Sequence, residues 1–131
     1  MRCKDCGKDI SPQQFKASKE ALGVALCERH TRLIKKVILD NDTPIDAVHL
    51  FYALKDAGVH PMLEWWDGKK SVDIAISRVK LNIEIDRNYN SFKNGFTTVR
   101  IPHLAVKYYL DETVENILGI ISGLKANIKA I

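Results

Sequence analysis

At 131 residues and 46% hydrophobic content, the chain holds one domain of ordinary size, or a small module joined to a compact one, with a real core. It has no run of about 18 apolar residues, and its polar start, MRCKDCGKDI, lacks the apolar stretch of a secretory signal. No membrane partner is expected, and a cytoplasmic location is the default. The formal charge of +4 permits nucleic-acid binding without demanding it.

The first segment carries the strongest local signal. Cys3-x2-Cys6 and Cys27-x2-His30 form two knuckle-spaced pairs of soft and borderline donors. Zinc prefers such a tetrahedral S/N set, and a reducing setting keeps the thiols available. All three cysteines of the chain are used this way; the competing reading is a disulfide with a stray thiol. With four positions filled and none open, the expected zinc is structural rather than catalytic. Gly7 supplies the knuckle turn, and Phe15, Leu22 and Leu26 supply a small apolar core. The stretch from Phe15 to His30 resembles zinc modules appended to phage and bacterial DNA-processing proteins.

Residues 31–39 are predicted helical, with Leu33, Ile34, Val37 and Ile38 on one buried face. Asp40 to Pro44 break that helix and start another. This divides the chain into a zinc module with its connecting helix, 1–40, and a second domain, 43–131. The next helix is capped by Asp42 or Thr43, carries Ile45, Val48, Leu50, Phe51, Leu54 and Ala57, and stops at Gly58. A short strand over 61–66 and an Asp67-Gly68 turn lead into residues 71–86, SVDIAISRVKLNIEID.

That stretch organises the rest. Two β-branched runs flank the turn signal Ser77-Arg78 and predict a hairpin. Alternation puts Glu84 and Asp86 on one face, and pairing brings Asp73 near Glu84. Three carboxylates so placed repel one another unless a hard cation such as Mg²⁺ lies between them. A strand over 96–102 follows. From Leu110 a long amphipathic helix carries Val114, Ile117, Leu118, Ile121, Leu124 and Ile128 on one side. Asp111 and Glu112 at its start and Lys125 and Lys129 near its end match the helix dipole. The class is α+β or α/β.

Four motifs, Trp66-Asp67-Gly68-Lys69, Val72-Asp73-Ile74-Ala75-Ile76, Leu81-x-Ile83-Glu84-Ile85-Asp86 and Ser91-Phe92-Lys93-x-Gly95-Phe96-x2-Val99-Arg100-Ile101-Pro102, resemble the very-short-patch-repair-like branch of the PD-(D/E)XK nuclease superfamily. The likeness covers about residues 43–123. It implies a restriction-endonuclease-like mixed sheet flanked by helices, DNA as partner, and cleavage with Mg²⁺ or Mn²⁺. Asp73 and Glu84 match the metal carboxylates, and the Ile85 carbonyl a further ligand. Asp86 stands where most of the superfamily has lysine and this branch has aspartate. Asp46 matches an acidic position on the first helix.

The chain departs from the branch after Asp86, where a glycine, a histidine and a long helix are replaced at once by Arg87-Asn88-Tyr89-Asn90-Ser91. The family's fourth strand runs parallel to the third, and parallel crossovers usually take a dozen or more residues. Either a break after Asp86 or an exchange of residues 96–131 within a homodimer is therefore expected, with Ile83, Ile85 and Val99 at risk of exposure. Three functions follow in order: a DNA endonuclease of repair or phage-defence type, an inactive nucleic-acid-binding module of that fold, and a zinc-stapled interaction module dimerising through its long helix. Trp65 and Trp66 suit either base stacking or the core. His49 reads as a hydrogen-bonded helix residue, and His60 and His103 as solvated loop residues. Lys69, Lys70, Arg78, Lys80 and Lys93 read as solvated surface or phosphate contacts.

Overall fold

The computed structural model describes residues 1–66, 71–86 and 97–129. Its first helix, α1 (Pro12–Leu22), is one that hydrophobic periodicity did not mark. Ser11 accepts the Gln14 N–H at 3.1 Å, Pro12 opens the first turn, and left-handed Gly23 closes the last. Its buried residues are Ser18 and Leu22, so the inward face carries no apolar stripe. Ser18 instead accepts the buried Leu26 N–H at 3.1 Å, which ties the helix to the following loop.

Helix α2 (Glu28–Asn41) matches the expectation at its core positions and misses at one. Thr31 and Ile34 are buried and Val37 and Ile38 half-buried, whereas Leu33 is 47% exposed. The inward stripe is narrower than the apolar pattern implied. Asp42, left-handed at φ 54°, ends the helix. After extended Pro44, α3 (Ile45–Asp56) buries Ala47, Val48, Leu50, Phe51, Tyr52 and Leu54. A helix buried over so wide an arc must have neighbours on several sides. It packs on the sheet, on both following helices, and through its side chains on the N-terminal segment.

The sheet has four strands in sequence order: β1 (Met62–Trp66), β2 (Ser71–Ile76), β3 (Leu81–Asp86) and β4 (Thr97–Pro102). β1–β2 and β2–β3 are antiparallel, and a 3-10 turn over Ser77–Val79 with left-handed Lys80 joins β2 to β3. This is the predicted hairpin. Register puts Ile74, Ile76, Leu81, Ile83 and Ile85 on one face, where they join the core with Val106, Ile117 and Ile121. Those last residues come from α4 (His103–Tyr108) and α5 (Leu110–Lys129). His103, expected in a loop, opens α4.

β4 runs parallel to β3 and pairs with it within the same chain, from Leu81↔Thr97 to Asp86↔Pro102. This corrects the expected break or exchange of 96–131. A return along a six-residue strand covers about 17 Å, and ten residues, 87–96, reach roughly 33 Å when extended. Ten residues are thus long enough for the return without a second molecule. The connecting residues themselves lie outside the described set. Nor are the apolar residues left bare: Ile83 and Ile85 are fully buried and Val99 is half-buried.

A single apolar cluster runs from Cys3, Leu22, Val24, Leu26, Cys27 and Ile34 through α3 to the sheet. The expected small core is therefore continuous with the large one: Leu22 and Leu26 are buried in it and Phe15 is half-buried. One close approach locks the two parts. Gly23 has φ 72°, and a Cβ there would lie 2.5 Å from His49 Nε2, whose N–H donates to the Leu22 carbonyl at 2.7 Å. His49 is thus a hydrogen-bonded helix residue, as expected. Gly23→Ala is expected to cost about 2 kcal/mol or more, combining left-handed strain with displacement of His49. Urea unfolding of the variant beside wild type measures it.

Candidate metal centre and acidic site

The two ends of the metal centre come from different local structures. Near the N-terminus a tight turn is closed by Gly7 N–H to Cys3 C=O at 2.9 Å and by Cys3 N–H to Lys8 C=O at 2.8 Å. Gly7 is left-handed at φ 75°, which a knuckle of this kind requires. The other pair sits at the start of α2, where Cys27 is the N-cap and His30 lies in the first turn. The Cys27 sulfur accepts the His30 N–H at 3.5 Å.

These turns bring Cys3 Sγ, Cys6 Sγ, Cys27 Sγ and one His30 ring nitrogen within 4.8 Å of one another. His30 Nδ1 lies 3.1 Å from Cys27 Sγ and 3.8 Å from Cys3 Sγ. A zinc tetrahedron has ligand–ligand edges of about 3.5–3.8 Å, so the set can hold zinc once its longest separation closes by roughly 1 Å and the Cys27–His30 pair opens slightly. All three cysteines are free thiols, so the disulfide reading is not met.

Electrostatics fit a cation. Burial would raise the Cys3 pKa, but the backbone groups of Cys27, Cys6 and Asp5 and the Cys6 side chain bring it down to about 7. Cys6 moves the other way: against the lowering effect of the Lys8 backbone, desolvation and neighbouring Cys3 and Cys27 raise it. Thiols that resist sharing negative charge at short range are what a bound cation relieves.

Asp5, between the two N-terminal cysteines, was not singled out from sequence. Its Oδ1 lies 3.1 Å from His30 Nε2, and its Oδ2 accepts the Tyr52 hydroxyl at 2.8 Å. The carboxylate fixes the ring so that Nδ1 faces the sulfurs, the usual outer-shell partner of a metal-binding histidine. Burial and the Asp5 contact push the Tyr52 phenol pKa up, which keeps it a donor. Asp5→Ala is expected to weaken zinc binding by about 10- to 100-fold, read by competition with a chromophoric chelator.

The acids of the hairpin occupy the sheet face opposite the main apolar one. The β2–β3 ladder is paired from Ile76↔Leu81 to Ile74↔Ile83, which places Asp73 across from Glu84. Asp73 is 4% and Glu84 2% exposed. Asp73 Oδ2 accepts the Ile85 N–H at 2.8 Å, so a side chain continues the bonding between the two strands. On β4, Arg100 stands beside Glu84 in register. On β1, Glu64 stands across from Asp73 with φ 53°, an unusual backbone for a strand residue, and accepts the Thr43 hydroxyl. Glu64 and Arg100 were not selected from sequence; their signal is positional and appears only with the register.

Asn82 and Thr98 are neighbours in register on that face, and the Asn82 amide and Thr98 hydroxyl find no hydrogen-bond partner among the described residues. Asp86 ends β3 opposite Pro102, and its side chain lies outside the description. Asp46 lies half-buried in the first turn of α3. Among the described residues the Cys/His set is the one group of three or more metal-donor side chains drawn together. Lys69, Lys70 and Lys93 and the side chains of Trp65 and Trp66 fall outside the described set, while Arg78 and Lys80 are exposed.

No described helix is long and apolar enough to cross a membrane. Comparison with protein-family models, curated proteins and solved structures found no match to the chain.

Proposed function

We propose that the protein is a metal-dependent DNA endonuclease of the PD-(D/E)XK type, with a structural zinc centre at its N-terminus. The observation that carries this reading is the pair Asp73 and Glu84, almost fully buried, facing each other across adjacent strands beside the Ile85 backbone. Two carboxylates held side by side next to a backbone carbonyl are the oxygen donors that a hard divalent cation takes.

In this reading Asp73 and Glu84 hold Mg²⁺ or Mn²⁺ with the Ile85 carbonyl, while Asp86 and Asp46 are the further acidic positions that the resemblance assigns. When bound, such an ion polarises a phosphate and lowers the pKa of a water. The chain's own contribution is position. Strand pairing fixes the spacing of the acids, and the Ile85 N–H bond fixes the Asp73 carboxylate. Arg100 supplies a cation at the neighbouring register position, suited to a phosphate.

Zinc in the Cys3, Cys6, Cys27 and His30 set would be structural, since four protein donors close a tetrahedron. Through Asp5 and Tyr52 it braces α3 against the N-terminal turn. The deciding experiment is incubation of plasmid DNA with the zinc-loaded protein and Mg²⁺ or Mn²⁺. Cleavage supports the endonuclease; salt-sensitive DNA binding without cleavage moves the assignment to the inactive binding module.

A further inference from the structure

At the turn end of the hairpin, away from Asp73 and Glu84, a cavity of about 270 Å³ opens between the end of α3, the β2–β3 turn and α5. Its floor is apolar: Ile76, Val79 and Ile121, with Ile121 the most exposed at 7%. Its rim carries His60, Arg78 and Lys125, all exposed. None of the described residues lining it is acidic, and neither Arg78 nor Lys125, the two cations of the rim, forms an ion pair with a described residue.

We propose that this cavity binds a small organic anion, an apolar body of about one ring bearing a carboxylate or phosphate. Ligand sites combine an apolar concavity with a few convergent polar groups, and this volume lies just below their usual range of roughly 300–1,000 Å³, which suits a small ligand. Like charges around a low-dielectric hollow reinforce one another's field, and an anion there relieves them. The Arg78 guanidinium offers the planar fork that pairs with either oxyanion.

Backbone groups contribute little, because the Gly58 and Val59 N–H groups are already bonded to the Lys55 and Leu54 carbonyls. Recognition therefore falls to side chains. Gly58, left-handed at φ 89°, leaves the wall open: a Cβ there would meet nothing within 4 Å. The site shares none of the residues that the nuclease reading assigns to the metal ion, so the two stand or fall separately.

The test is an NMR titration of the zinc-loaded full chain with phenyl phosphate and with benzoate. Benzyl alcohol and inorganic phosphate serve as the charge-free and body-free controls. At least one of the two anions should saturate, with shifts centred on Val59, Val79 and Ile121, and bind at least about tenfold tighter than either control. The stronger of the two identifies the preferred oxyanion. The double variant Arg78→Ala/Lys125→Ala should weaken it at least about tenfold, and Ser122→Trp, on the exposed side of α5, should block it while leaving the fold intact. Failure of both anions to saturate, binding no tighter than the controls, or binding unchanged in both variants overturns the proposal.

Discussion

Removing zinc from Cys3, Cys6, Cys27 and His30 is expected to lower stability by several kcal/mol and to loosen more than the first forty residues. Zinc in small Cys/His modules contributes roughly 10–16 kcal/mol of apparent binding energy, comparable with the entire stability of an ordinary domain. An independent module would unfold alone. Here Leu22, Val24 and Leu26 share one apolar cluster with α3, and the Asp5–Tyr52 and Lys4–Asp56 contacts cross between them. Chelation should therefore abolish amide-exchange protection in α1 and α2 and reduce it in α3, with Cys27→Ser reproducing the effect. Purified protein carrying under half an equivalent of zinc, or an unchanged melting temperature after chelation, would contradict this.

The largest functional effect is expected at Glu84. Glu84→Gln keeps the side-chain volume and removes the charge, so plasmid cleavage should fall by about 10²-fold or more while the fold is kept. Asp73→Asn should also lower cleavage, but less cleanly, because its oxygen accepts the Ile85 N–H and the amide can turn the wrong end toward it. The readout is cleavage rate with Mn²⁺ alongside circular dichroism of each variant. Loss of cleavage together with loss of fold would make these residues structural. Unchanged cleavage in both variants would remove them from the chemistry.

What the chain reveals about itself follows the range of the interaction concerned. Cys3, Cys6, Cys27 and His30 are legible because knuckle spacing is local and zinc admits few donor sets. The hairpin is legible because alternation along 71–86 fixes both its faces, and with them the approach of Asp73 to Glu84. Asp5 was not legible as the partner of His30 and Tyr52, since 47 residues separate it from the tyrosine and only the fold joins them. Helix α1 hid because its inward positions include Ser18, whose value lies in a hydrogen bond to Leu26 rather than in apolar area. Leu33 misled in the opposite direction, being apolar yet outward-facing. After Asp86 the usual size of a parallel crossover misled, because the span to be covered along a six-residue strand is only about 17 Å, well within the reach of ten residues.

The central claim is that Asp73 and Glu84 together hold a divalent cation, and crystals of the protein soaked in Mn²⁺ test it most directly. Anomalous scattering should show an ion bound by both carboxylates, weakly occupied without DNA and filling when a DNA duplex is present, because such ions complete their octahedron with water and phosphate. Absence of a peak between these two side chains, with and without DNA, would contradict the nuclease assignment.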